Sequence, residues 1–248
     1  MKLRHIRIPF YFWLLPVAVM AGIYAFTVWR YTINFPFWDD YFALLDFIDV
    51  QITEPSIAIR IAALFEQHYE HRVVTGRLIA WAWYGVNGAV NFRALVFIGN
   101  AFYFVWFYWL TNQATKRNET TWIGIIILAA FTFSINQWDV SSWATTALFF
   151  YSIDLLALTA IICYFSASKY AILLAWLAGL LATFSGANGI IIFPAIAIAD
   201  LLIRGWLPRR FITWAIGSMA AVALYSWGYI RPEHQPSIID TLWQQPTM

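Results

Sequence analysis

Seven times along this chain, a run of 16 to 22 residues passes with at most two charges: 8–29, 92–113, 121–137, 145–165, 170–185, 188–204 and 210–229. About 20 apolar residues, rising 1.5 Å each as a helix, cover a hydrocarbon layer of roughly 30 Å. Backbone that meets lipid must satisfy its own N–H and C=O groups, so runs of this length take the helical form. Composition agrees. Of 248 residues, 62% are hydrophobic and 11% charged, whereas soluble chains carry roughly a quarter charged residues. The mean hydropathy is +0.65, and the 15 Trp suit a chain that meets lipid headgroups repeatedly. The expected fold is one all-α, polytopic membrane domain over 1–248, with about seven transmembrane helices.

Several classes fall away. A net charge of +2 offers no basic face for nucleic acid. A single cysteine, Cys163, excludes an internal disulfide framework and any cysteine-based zinc site. It stands in an apolar run and reads as inert packing. Met1 to Arg7 is basic and precedes an apolar run, like a signal peptide. The run from Ile8 to Val28 is long enough to span, and no small-residue cleavage site follows, so it reads as an uncleaved first helix.

Basic residues collect on the inner side of a membrane. Lys2, Arg4 and Arg7, the pair Lys116 and Arg117, Lys169, and Arg204, Arg209 and Arg210 all fall inside only if the apolar stretch 73–86 does not cross. That stretch is therefore expected to lie in the interface, with Trp81, Trp83 and Tyr84 at headgroup depth. The outer face then holds a long first loop from about Tyr31 to Asn91, the segments 135–143 and 185–189, and the tail 231–240. The glycosylation sequon Asn118-Glu119-Thr120 falls on the inner side and is discounted.

The first loop contains seven of the 13 acids and two of the four histidines. Loops of this length are usually functional. Asp39 and Asp40 admit two readings. They are a carboxylate pair acting as general base or metal ligand, or Asp39 is the N-cap of a helix over 40–49 with Asp40 in its first turn. His68 and His71, with Glu70 between them, share a helical face and form a partial metal site, so a divalent metal is possible but nothing requires one. Alternatively His71 and Arg72 grip phosphate, or the segment is merely solvated. Asp139 either completes a site with Asp39 and Asp40 or is a loop residue between Trp138 and Trp143. Arg231 and His234 either hold an anionic group or belong to a mobile tail. The segment 185–189 reads as a Gly/Asn turn. Asp154, inside a crossing, is functional by default or paired within the bundle. Asp200 and Arg204 read as a local ion pair.

FWDDY (37–41), QHYEHRVVTGRL (67–78), FSGANGIIIFP (184–194) and WGYIRPEHQPS (227–237) resemble segments of bacterial membrane proteins related to the GT-C glycosyltransferases. The resemblance implies transfer of a sugar from a polyprenyl-phosphate donor, with inversion, at the outer face of the bacterial plasma membrane. It places Asp39 or Asp40 as the catalytic base and Asp139 as the second acid. His71 and Arg72 match a basic position beside the donor phosphate; on the residues' own chemistry, Arg231 and His234 are added as candidate phosphate ligands and His68 and Glu70 as candidate support. At position 69 the group more often has Asn, and this chain has Tyr69. The resemblance covers the seven-crossing part common to the superfamily. A compact member, a fragment or one subunit of a membrane complex is expected. The alternative function is a polyprenyl-phosphate-binding or flippase-like accessory subunit; secondary transport fits less well, because the charges gather at the outer surface rather than at the midplane.

Overall fold

The computed structural model describes residues 10–117, 121–168, 170–204 and 209–232. His234, the sequon, Lys2, Arg4, Arg7 and Lys169 lie outside the described residues. The described residues are all-α apart from one two-residue β pairing.

Helix α1 (Phe10–Tyr31) is followed by a π-helical turn (Asp40–Leu45), α2 (Asp46–Thr53), α3 (Ile57–Leu64), strands β1 (Gln67–His68) and β2 (His71–Arg72), and α4 (Val74–Asn87). Then come α5 (Phe92–Lys116), α6 (Trp122–Thr132), a 3-10 turn (Ile135–Gln137), α7 (Trp138–Ser141) and α8 (Ala144–Tyr164). Helix α9 (Ala171–Ser185), a second 3-10 turn (Ala187–Ile191), α10 (Ile192–Arg204) and α11 (Arg209–Ser226) complete the order. Among the described residues, five helical segments are long and apolar enough to cross a membrane: Leu14–Tyr31, α5, Trp122–Ser141, α8 and Ala187–Arg204. Helix α9 is apolar but only 15 residues long.

Local chemistry sets the boundaries. Gly88 ends α4 at φ 70°, the left-handed position glycine takes without strain. Asn91 then caps α5 by accepting from the Ala94 amide at 3.0 Å. The run 121–137 is not one straight helix. Thr121 caps its start, α6 stops at Thr132, and Ser134 accepts from the Asn136 amide to open the 3-10 turn. The stretch 73–86 becomes α4, whose 14 residues rise only about 21 Å. Trp81, Trp83 and Tyr84 are half-buried against the core.

Two clusters hold the bundle. In one, Tyr24, Leu95, Tyr103, Phe133, Leu148 and Tyr151 join α1, α5, α6 and α8. In the other, Tyr164, Ala175, Phe193, Ile196 and Trp214 join α8 to α11. Gly99 lets α5 approach α8 closely, since a methyl group there would come 2.6 Å from the Ala147 carbonyl carbon. The Tyr24 hydroxyl donates to Asn100 Oδ1 at 2.6 Å, and Asn100 Nδ2 donates to the Ser141 carbonyl at 2.8 Å, so the polar groups of this core satisfy one another.

The hydrogen bonds sort the helix ends. At one end, Asn34 after α1 accepts from the Phe92 amide opening α5 at 2.8 Å, and Thr75 bonds Ser185 at the close of α9. At the other end Tyr164 donates to Asp200 at 2.8 Å, and Arg210 donates to the Ser166 carbonyl at 2.9 Å. The expected Asp200–Arg204 pair is present at 3.3 Å. The first loop, with its acids and histidines, therefore sits at the end where α1, α9 and α11 finish and α5, α8 and α10 begin.

Candidate functional site

Arg77 organises the first loop. It is 3% exposed, and its guanidinium donates to the carbonyls of Ala43 (3.1 Å), Ala63 (2.9 Å), Leu64 (3.3 Å) and Glu66 (2.6 Å). One cation thereby ties the π-helical turn, the end of α3 and the approach to β1 onto α4. Desolvation pulls its pKa down to about 10, which leaves it charged at neutral pH. Spacing in the sequence singled out no role for this residue.

Asp40 is a structural anchor. It is 1% exposed; Oδ1 accepts from the Thr145 amide at 2.8 Å and the Thr145 hydroxyl at 2.5 Å, and Oδ2 accepts from the Phe37 amide at 3.0 Å. Trp143, at the N-cap position of α8, has no capping side chain. Asp40 supplies the cap from 105 residues upstream and places its charge where a helix N-terminus favours it. Desolvation pushes its pKa upward, opposed by these hydrogen bonds and by the Trp143 indole. Asp39 is not the side-chain cap that the sequence allowed: a helix does start at Asp40, but the Asp39 carboxylate makes no capping bond. It turns instead to His68, whose Nε2 lies 3.6 Å from Asp39 Oδ1, just beyond hydrogen-bond length.

The hairpin 67–72 has two chemically different faces, because neighbouring strand residues point to opposite sides. On one face, His68 and His71 join Asp39, Glu70, Thr145 and Thr146 around a pocket of about 220 Å³. Both imidazoles keep pKa values lowered from 6.5, chiefly by desolvation, which outweighs the attraction of Asp39 for His68 and of Glu70 for His71. Both histidines are therefore neutral at pH 7, able to take a proton. On the opposite face, Arg72 and Gln67 line a cavity of about 900 Å³ together with Glu66 and Arg231. Tyr69, at the tip of the turn, lines both spaces. It adopts φ 49°, a strained left-handed conformation that Asn tolerates better than an aromatic residue.

Arg72 is itself engaged. It donates to the carbonyls of Phe65 and of Trp227 (2.8 Å) and Tyr225 (3.3 Å), so it caps the end of α11. Gln67 holds the Ile230 backbone from both sides, donating at 2.6 Å and accepting at 3.0 Å. Phe65, Arg72 and Trp227 also line an apolar groove of about 700 Å³ formed with Leu177, Leu180, Leu181 and Leu224. The basic cavity thus adjoins a greasy one along the Arg72 wall.

Asp139 does not join Asp39. It is exposed beside Trp138 and Trp143 in a third pocket of about 360 Å³, with Asp40 in the wall and Trp38 at φ 44°. The candidate residues therefore divide among three adjacent spaces: Asp39, His68, Glu70 and His71 in one, Arg72 and Arg231 in the second, Asp40 and Asp139 in the third. The segment 185–189 is a turn as expected, but Gly186 is favoured by space, since a methyl there would run into the buried Phe149 ring. Among the described residues, no three His, Cys, Asp or Glu side chains are placed to hold a metal ion. Compared with known proteins, the chain matches no protein-family model, no curated protein and no solved structure.

Proposed function

We propose that this chain is a membrane glycosyltransferase, or the donor-binding module of one, moving a sugar from a polyprenyl-phosphate carrier to an acceptor at the outer face of a bacterial plasma membrane. In this reading, seven segments cross (α1, α5, α6 with α7, α8, α9, α10 and α11) and the N-terminus is inside. Helix α4 and the first loop then rest at the outer surface. The alternation of helix ends described above supports that path, and a short α9 is accommodated by local thinning of the bilayer.

Asp39 is the general base in this reading. It takes the proton of the acceptor hydroxyl as that oxygen forms its bond to the anomeric carbon. The bond from that carbon to the phosphate oxygen breaks on the opposite side, and the electron pair leaves with the polyprenyl phosphate. Configuration inverts. Neutral His68, 3.6 Å from Asp39, stands ready to receive the proton onward. Arg72 and Arg231 offset charge developing on the departing phosphate, an effect that strengthens away from bulk water. The polyprenyl tail lies in the leucine groove beneath Arg72.

The observation that carries this reading is the two-faced hairpin. Its acid and imidazoles open on one side and its arginine on the other, with Tyr69 common to both spaces. The continuity of the basic cavity with the apolar groove also favours a second reading, a lipid-phosphate-binding accessory subunit that performs no transfer.

Proteoliposomes containing a panel of radiolabelled polyprenyl-phosphate sugars distinguish the two. A general base contributes roughly 10²–10⁴-fold, so Asp39→Asn is expected to lower release of polyprenyl phosphate by about that factor while leaving its binding intact. Transfer at the wild-type rate by Asp39→Asn would remove the catalytic assignment. Binding without transfer by the wild-type chain would establish the accessory reading.

A further inference from the structure

Asp154 stands ten residues after Ala144 and ten before Tyr164, at the midpoint of α8. At 1.5 Å per residue it is about 15 Å from either end, the middle of the hydrocarbon layer if α8 spans it. The residue is exposed at the edge of α8, with the buried rings of Tyr103 and Tyr151 beneath it close enough to feel its charge. The exposed residues nearest it along the same helix, Phe150 and Ile161, are both apolar and 39% exposed. Among the described residues, none hydrogen-bonds to the Asp154 carboxylate or forms an ion pair with it. A carboxylate at this depth is costly unless it is paired, and ionisable groups inside spans normally face a partner or a water-filled path.

We propose that the Asp154 face of α8 is the docking surface for a transmembrane helix of a different protein, one that presents a lysine or arginine at mid-membrane depth. Charge complementarity selects this occupant. A second copy of this chain is a poor match, because the arginines of its apolar helices stand near the helix ends: Arg93 is the second residue of α5, Arg204 the last of α10, and Arg210 the second of α11. Two copies meeting at this face would oppose carboxylate to carboxylate. The inference is independent of the sugar-transfer reading, since Asp154 lines none of the three spaces that divide the candidate residues.

The test uses the full chain, labelled with a donor dye and reconstituted in liposomes, with acceptor-labelled 21-residue poly-leucine peptides carrying Lys, Leu or Glu at the central position. Energy transfer reads association. The Lys peptide should bind the wild-type chain at least tenfold more tightly than the Leu peptide, the Glu peptide should bind no better than Leu, and Asp154→Leu should erase the Lys preference. Asp154→Leu is expected to fold, because leucine suits an exposed position in an apolar helix; thermal unfolding followed through Cys163 checks this. Equal binding of all three peptides would overturn the proposal. So would self-association of the wild-type chain, without peptide, that Asp154→Leu abolishes, since that outcome assigns the face to a second copy.

Discussion

Removing the Asp40 carboxylate should unfold this protein earlier rather than merely inactivate it. Asp40→Ala deprives α8 of its capping acceptor, which by itself costs about 1 kcal/mol. It also strands the Thr145 hydroxyl and the Phe37 amide, each a donor now lacking its partner beside a residue that is 1% exposed. A stranded buried donor costs about 1–3 kcal/mol, so the loss reaches at least about 3 kcal/mol. For a chain of this size that corresponds to roughly 6–12 °C in Tm. Asp40→Asn keeps an acceptor for Thr145 but turns an amide N–H toward the Phe37 N–H, and should lose about 1–2 kcal/mol. Asp39→Asn lies half-buried with no hydrogen bond to lose and should shift Tm by no more than about 2 °C. The assay is thermal unfolding in detergent with a thiol-reactive dye, since Cys163 is the only cysteine and sits in the last turn of α8. An Asp40→Ala protein as stable as wild type would refute the capping argument. An Asp39→Asn protein that melts like Asp40→Ala would refute the division of labour between the two acids.

Arg77→Ala leaves four backbone carbonyls without their shared donor and should cost at least about 3 kcal/mol; Arg77→Lys should recover only part of that, because an ammonium cannot span the same acceptors. Wild-type Tm in both variants would contradict this. His68 and His71 have folded pKa values below 6.5, so the unfolded chain takes up protons first as the pH falls. Their contribution to stability is therefore full above about pH 6.5 and lost as the pH drops from there through their folded values. Asp40, with its raised pKa, acts in the opposite sense at more acid pH. The fall in Tm between pH 7.5 and 5.5 should shrink in the His68→Gln, His71→Gln double variant; an identical slope counts against it. Tyr69→Asn should relieve left-handed strain and raise stability by about 0.5–1 kcal/mol, and an unchanged or lower Tm would show that the tyrosine ring is worth more in place.

How much of this was legible beforehand depended on range. The long helices were, because each is a run of apolar residues of spanning length, and five of the seven runs meet that description in the structure. The break after Thr132 was readable in principle from Ser134, a capping residue embedded in apolar sequence, but the run looked continuous. The role of Asp40 was not readable, since its partner lies 105 residues away. The opposition of His71 and Arg72 depends on a two-residue strand, too short to show a period of two, and their adjacency in sequence suggested one shared phosphate site. Arg77 drew no notice because its partners are main-chain carbonyls, which carry no side-chain signature.

In the proposed reaction, the space on the Asp39 side of the hairpin and the basic cavity on its Arg72 side work together across Tyr69. A structure of the full chain with a bound polyprenyl-phosphate sugar analogue examines that directly. The phosphate is expected against Arg72 and Arg231, the tail along Leu177 and Leu181, and the sugar past Tyr69 within hydrogen-bond reach of Asp39, roughly 3 Å. An analogue seated instead between Trp38 and Asp139, with its phosphate remote from both arginines, would contradict it.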